Sequence, residues 1–109
     1  MQVRDMAKIE KNVRKDGVTM VDFFGEQVPA GEKVSMGYAV FPPGTVVPPA
    51  AHTGDEYSYV ISGHVKCKTQ ERIWEMGPEM AGFIPAGEEH SSVNDSNEEA
   101  TLIWMLIEK

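Results

Sequence analysis

The sequence predicts an all-β domain, a sandwich or a closed barrel, and three observations carry that expectation. Ten glycines and seven prolines are spread along the chain rather than pooled. Between them lie short runs rich in β-branched and aromatic residues, and short strands at regular spacing with Gly/Pro turns are the signature of sandwiches and barrels. The 109 residues, 41% hydrophobic and 25% charged, have a globular composition and suffice for one domain with a core, not two.

In chain order, the first segment is charged and has no apolar stretch of signal-peptide type. Val3, Met6, Ile9 and Val13 recur at spacings of 3, 3 and 4, which fits a short helical stripe or an extended arm. Residues 1–17 are therefore expected to form an N-terminal arm and residues 18–109 a single β-domain. Strand-forming runs follow at Val18–Phe24, Val34–Phe41, Tyr57–Ser62, His64–Lys68 and Thr101–Ile107. Pro42-Pro43-Gly44, Pro48-Pro49 and Pro85-Ala86-Gly87 read as turns. A further strand is expected from His90 to about Asn94, and Asn94–Glu99 reads as a solvated turn.

Charge and cysteine content bound the partners. Seventeen Asp+Glu against ten Lys+Arg leave a net charge of −7, and an acidic surface repels phosphate backbones and anionic lipid. No nucleic-acid partner is expected, and no membrane partner, since no window of ~18 apolar residues exists. Cys67 is the single cysteine, which excludes an internal disulfide and fits a cytoplasmic location.

The candidate chemistry lies at two turns. His52-Thr53-Gly54-Asp55-Glu56 sets an imidazole and a carboxylate four residues apart. On a straight strand they would share a face but stand ~13 Å apart, too far for one ion bound at about 2.1 Å by each. Pro48-Pro49 before and Tyr57–Ile61 after argue against a helix. Convergence therefore needs a bend, which Gly54-Asp55 supplies. The second group, Pro85-Ala86-Gly87-Glu88-Glu89-His90, launches a histidine from a tight turn.

In these residues the chain resembles the cupin superfamily. That family's first motif is a glycine, five residues, two histidines separated by one residue, three or four residues, a glutamate, six residues and a glycine. Gly44, His52, Glu56 and Gly63 fall on it. The second is a glycine, five residues, proline, any residue, glycine, two residues, histidine, three residues and asparagine. Pro85, Gly87, His90 and Asn94 fall on it. Two positions depart. Ala50 stands where the family has its first histidine, and Glu79 where the second motif opens with glycine. Gly77-Pro78 is expected to serve that turn instead.

The resemblance implies a jelly-roll barrel holding a divalent metal ion, of iron, manganese, nickel or zinc type. His52, Glu56 and His90 would be its ligands, and Ala50 would contribute none. Two imidazoles and a carboxylate leave coordination positions open for oxygen or substrate chemistry. The implied function is oxygenase, isomerase, decarboxylase or lyase chemistry on a small polar metabolite. The alternative is a metal-free cupin that binds a sugar or small metabolite without catalysis, and small cupins suggest a homodimer by analogy. Glu88 and Glu89 flank His90, within reach of the barrel mouth, and read as surface charges. Alternation within such a barrel turns Ser58 and Val60 inward with Glu56, and Ser92 inward with His90. Tyr57, Tyr59 and Ile61 then face outward, towards a dimer interface or a covering strand. Met36, Tyr38 and Val40 form a similar candidate lining set. In the last strand either Leu102, Trp104 and Leu106 or Ile103, Met105 and Ile107 face in. His64 shares a face with Lys66 and Lys68 and reads as a surface residue, and Cys67 as a small buried hydrophobe.

Overall fold

The computed structural model describes residues 1–108. Ten strands form two antiparallel sheets: β1 (Asn12–Val13), β2 (Thr19–Phe24), β3 (Val34–Phe41), β4 (Val46–Ala50), β5 (Asp55–Ser62), β6 (Val65–Thr69), β7 (Ile73–Met76), β8 (Ala81–Ile84), β9 (His90–Val93) and β10 (Ala100–Ile107). The six-stranded sheet runs β1-β2-β3-β10-β5-β8 and the four-stranded sheet β4-β9-β6-β7. This is a jelly-roll arrangement, as the strand spacing and motifs implied.

The N-terminal apolar stripe does not make an α-helix. A 3₁₀ turn covers only Met6–Lys8, capped by Asp5, whose carboxylate accepts from the Ala7 N–H at 3.0 Å. The rest is extended, and β1 pairs with β2. Arg4 ties the arm down by donating to the Phe23 carbonyl at 2.6 Å. Val3 and Val13 remain exposed, so the stripe buries too little to drive a helix.

Pro48 and Pro49 lie within strand β4, not in a turn. The reason is position. β4 is an edge strand paired only with β9, with a register shift between Val47 and Ala50. An edge or bulged strand tolerates residues that donate no ladder hydrogen bond.

One end of the barrel is closed by apolar packing. Val18, Ala39, Phe41, Val60, Val65, Ala100 and Leu102 form a buried cluster there. Removing the Val, Phe and Leu side chains of this cluster from water stabilises by about 1.5–3 kcal/mol each. Asn94 sits at this end and is fully buried, so the Asn94–Glu99 turn is anchored rather than merely solvated. Its Nδ2 donates to the carbonyls of Phe41 (2.9 Å) and Glu98 (2.8 Å), and its Oδ1 accepts from the Ser96 N–H and hydroxyl. Gly63 turns β5 into β6 beside it with φ of 75°, and a Cβ there would stand 2.2 Å from the Glu99 carbonyl oxygen. Only glycine meets both conditions.

The inner faces follow the expected alternation with one reversal. Ser58, Val60, Val65, Cys67 and Ser92 face inward, and in β10 the inward set is Leu102, Trp104 and Leu106. In β3, however, Ala39 and Phe41 face the interior. Met36, Tyr38 and Val40 therefore lie on the outer face. A one-residue shift in a strand exchanges its faces, and β3 is apolar on both, so its own pattern does not choose.

Candidate metal centre

The open end of the barrel carries the three residues singled out by the sequence. β4 ends at Ala50, and the chain bends at Thr53-Gly54 before β5 begins at Asp55. Thr53 Oγ1 donates to Glu108 Oε2 at 2.6 Å and pins the bend to the end of β10. His52 precedes the bend and Glu56 follows it, and their side chains meet with Nε2 3.3 Å from Oε1. His90 opens β9, with its ring centroid 5.1 Å from that of His52. One ligand atom from each of His52, Glu56 and His90 lies within 4.8 Å of the other two. His90 is buried, while His52 and Glu56 keep 40% and 24% of their side-chain surface towards the mouth.

The second turn holds both histidines in place. Pro85-Ala86-Gly87-Glu88 closes with the Glu88 N–H donating to the Pro85 carbonyl at 3.2 Å, with Gly87 at φ of 84°. This is a type II turn, with glycine at the position that needs positive φ. The Gly87 N–H donates to the carbonyl of His52 at 2.8 Å. The Ala86 N–H donates to Asp55 Oδ1 at 2.9 Å. His90 Nδ1 lies 3.0 Å from the Glu88 carbonyl oxygen. A carbonyl only accepts, so Nδ1 carries the hydrogen in this contact, and in the neutral ring the lone pair belongs to Nε2. Fixing the tautomer through the remote nitrogen is how metal-ligating histidines are oriented. Asp55 and the backbone of residues 86–88 are thus positioning groups that the sequence did not reveal. Backbone donors leave no trace in residue identity, and Asp55 reads as an ordinary turn residue.

Two imidazoles and a carboxylate are a donor set of the kind a divalent ion takes. Two donors each about 2.1 Å from one ion stand about 3.0–3.4 Å apart at octahedral or tetrahedral angles, and the His52–Glu56 separation falls in that range. Ala50 is the Cα partner of His90 across the β4–β9 ladder and lines the same space, and its methyl offers no donor atom there. A cavity of about 680 Å³ lies below and beside the trio. Its walls include Ser58, Met76, Met80 and Leu106, with Glu88 at the mouth. Glu88 is exposed and also borders the site. Inside, burial pushes the Cys67 thiol above its ordinary value and the Glu56 charge adds to this, against a hydrogen bond with Ser92. Cys67 behaves as the buried hydrophobe expected. His64 is exposed and outside the trio. Among the described residues no helix is long and apolar enough to cross a membrane.

Comparison with known proteins agrees with this geometry. The profile of the cupin domain family matches residues 37–106. Among solved structures, the polyketide cyclase RemF from Streptomyces resistomycificus is similar with a TM-score of 0.86 and 19% identity, covering 100% of this chain and 80% of that one. An RmlC-like cupin from Shewanella frigidimarina gives 0.84 and 16%, over 100% and 92%. A predicted oxalate decarboxylase from Thermotoga maritima gives 0.83 and 21%, over 99% and 100%. Among curated proteins no sequence matches. The profile spans more than half of the chain, and the histidine and glutamate of the first motif meet the histidine of the second at one mouth of a jelly-roll barrel, so the chain belongs to the cupin domain family.

Proposed function

We propose that this cupin binds a divalent metal ion through His52, Glu56 and His90 and acts on a small polar metabolite held in the barrel. The observation that carries the reading is the convergence of two imidazoles and one carboxylate within 4.8 Å, with His90 oriented by the Glu88 carbonyl. When bound, an iron, manganese, nickel or zinc ion supplies Lewis acidity to a coordinated carboxylate or carbonyl. The chain's own residues do the rest. His90 and His52 are held by the Pro85–Glu88 turn. Ala50 leaves room beside them for a ligand atom from the metabolite. The apolar walls exclude water from the ligand's body. The cyclase and decarboxylase names among the structural neighbours support chemistry on oxygen-rich small molecules. The reaction class stays within the oxygenase, isomerase, decarboxylase and lyase types.

The same reading includes a homodimer, supported by the outward apolar row on the six-stranded sheet. Met36, Met105, Tyr57 and Phe83 are aligned across four strands, and the Tyr57 and Phe83 rings touch at 5.0 Å. A cytoplasmic location is supported by Cys67, which is free and buried.

The experiment is Ala50→His, read by zinc competition against a chromophoric chelator. Residues paired across a ladder have Cβ atoms about 4.5–5.5 Å apart, so the new imidazole stands beside His90. Zinc affinity is expected to rise by about tenfold or more, ~1.4 kcal/mol. An unchanged affinity would count against a metal centre at this mouth.

A further inference from the structure

We propose that Arg72, its guanidinium over the Trp74 ring at the mouth of the barrel, recognises a carboxylate at the end of the ligand remote from His52, Glu56 and His90. The ligand class is then a short acid with two anionic or oxygen-bearing ends and an apolar middle. The near end of that ligand rests on the proposed metal reading; the far end rests on Arg72 alone.

Position is the first argument. Ala50, His90 and Thr69 are successive Cα partners across β4, β9 and β6. The Thr69 N–H donates to the Arg72 carbonyl at 2.9 Å, so Arg72 closes the β6–β7 hairpin in the same row. All four residues line the cavity. Strands lie about 4.8 Å apart, which sets the Arg72 Cα roughly 10 Å from that of His90. An extended carbon chain spans about 1.2 Å per bond, so a ligand of about four to six carbons bridges a gap of this order.

Trp74 holds the guanidinium. Its carbon lies 3.7 Å from the centre of the Trp74 ring. Trp74 is 48% exposed and lines the same cavity. A stacked guanidinium is fixed in orientation while its N–H edges stay available for a bidentate carboxylate.

Other cations of the chain are already engaged. Arg4 donates to a carbonyl, Arg14 pairs with Asp16, and Lys66 pairs with Glu75 and Asp95. Among the described residues, Arg72 has no side-chain hydrogen bond or ion pair, although Glu71 and Glu75 line the same cavity. Those carboxylates and the net charge of −7 repel an anion at long range, so its recognition has to come from contact with a placed cation.

The test uses adipate and hexanoate, which differ by one carboxylate, titrated calorimetrically into zinc-loaded and EDTA-stripped protein. Zinc-loaded protein is expected to bind adipate about tenfold or more tightly than hexanoate. Arg72→Met, at unchanged zinc content, should bring adipate to the hexanoate level and leave hexanoate unaffected. In stripped protein both acids should depend on Arg72. Four results would overturn the inference: no adipate binding, an unchanged adipate preference in Arg72→Met, an equal loss for both acids in loaded protein, or tighter binding of hexylamine than of hexanoate. Failure of zinc, iron(II), manganese and nickel alike to load would sink the metal reading instead, and the stripped titrations would still decide the role of Arg72.

Discussion

Glu79 shows how a single residue can carry a family's geometry after the family's residue is gone. Its φ is 67°, a conformation that costs an L-residue with a side chain roughly 1–2 kcal/mol. The turn is Gly77-Pro78-Glu79-Met80, closed by the Met80 N–H donating to the Gly77 carbonyl at 3.2 Å. Pro78 takes the first central position and Glu79 the second, where a type II turn favours glycine. Gly77-Pro78 therefore does not relieve the site, as its sequence suggested; the left-handed step stays at the position where the second motif has glycine. Glu79→Gly is expected to stabilise the fold by about 0.5–1 kcal/mol, the relieved strain less the added freedom of the unfolded chain. Thermal unfolding followed by circular dichroism checks this as a rise of a few degrees in Tm. A fall in Tm would mean that the Glu79 side chain contributes more than its backbone costs.

At the level of elements, the two sheets divide the work. The four-stranded sheet aligns Ala50, His90, Thr69 and Arg72 in one row facing the cavity. The six-stranded sheet supplies Glu56 inside and an apolar face outside. On that outer face Tyr57, Tyr59, Ile61, Phe83, Met105 and Ile107 are exposed between about a third and just over half of their surface. A contiguous apolar patch of this kind on a small domain marks an interaction surface. If a second copy covers it, light scattering on wild-type protein gives twice the chain mass. Tyr59→Lys, at the centre of the face beside Ile103, gives the single-chain mass with an unchanged circular dichroism spectrum. Wild-type protein at the single-chain mass would remove the homodimer from this account.

For the molecule as a whole, the barrel is closed at one end by the Val60–Leu102 cluster and Asn94, and open at the other around the trio. Much of this was legible because spacing encodes it. The bend between His52 and Glu56 follows from the ~13 Å they would otherwise be apart, and alternation from Glu56 turned Ser58 and Val60 inward. What was not legible has physical reasons. Strand β3 is apolar on both faces, so Ala39 and Phe41 inside, rather than Met36, Tyr38 and Val40, is settled by pairing with β10. Pro48-Pro49 resemble a turn unless β4 is known to be an edge strand. The hold of residues 86–88 on both histidines is made by backbone groups. Arg72 belongs to the site through strand register, which no local pattern announces. The claim on which the rest depends is that His52, Glu56 and His90 hold an ion. Elemental analysis of protein expressed without a chelating tag, beside His52→Ala, tests it most directly. The wild type is expected to carry about one divalent ion per chain and the variant to lose it. A wild type with no metal, even after incubation with iron(II), manganese, nickel and zinc, would contradict it and leave a cupin that binds its ligand without metal.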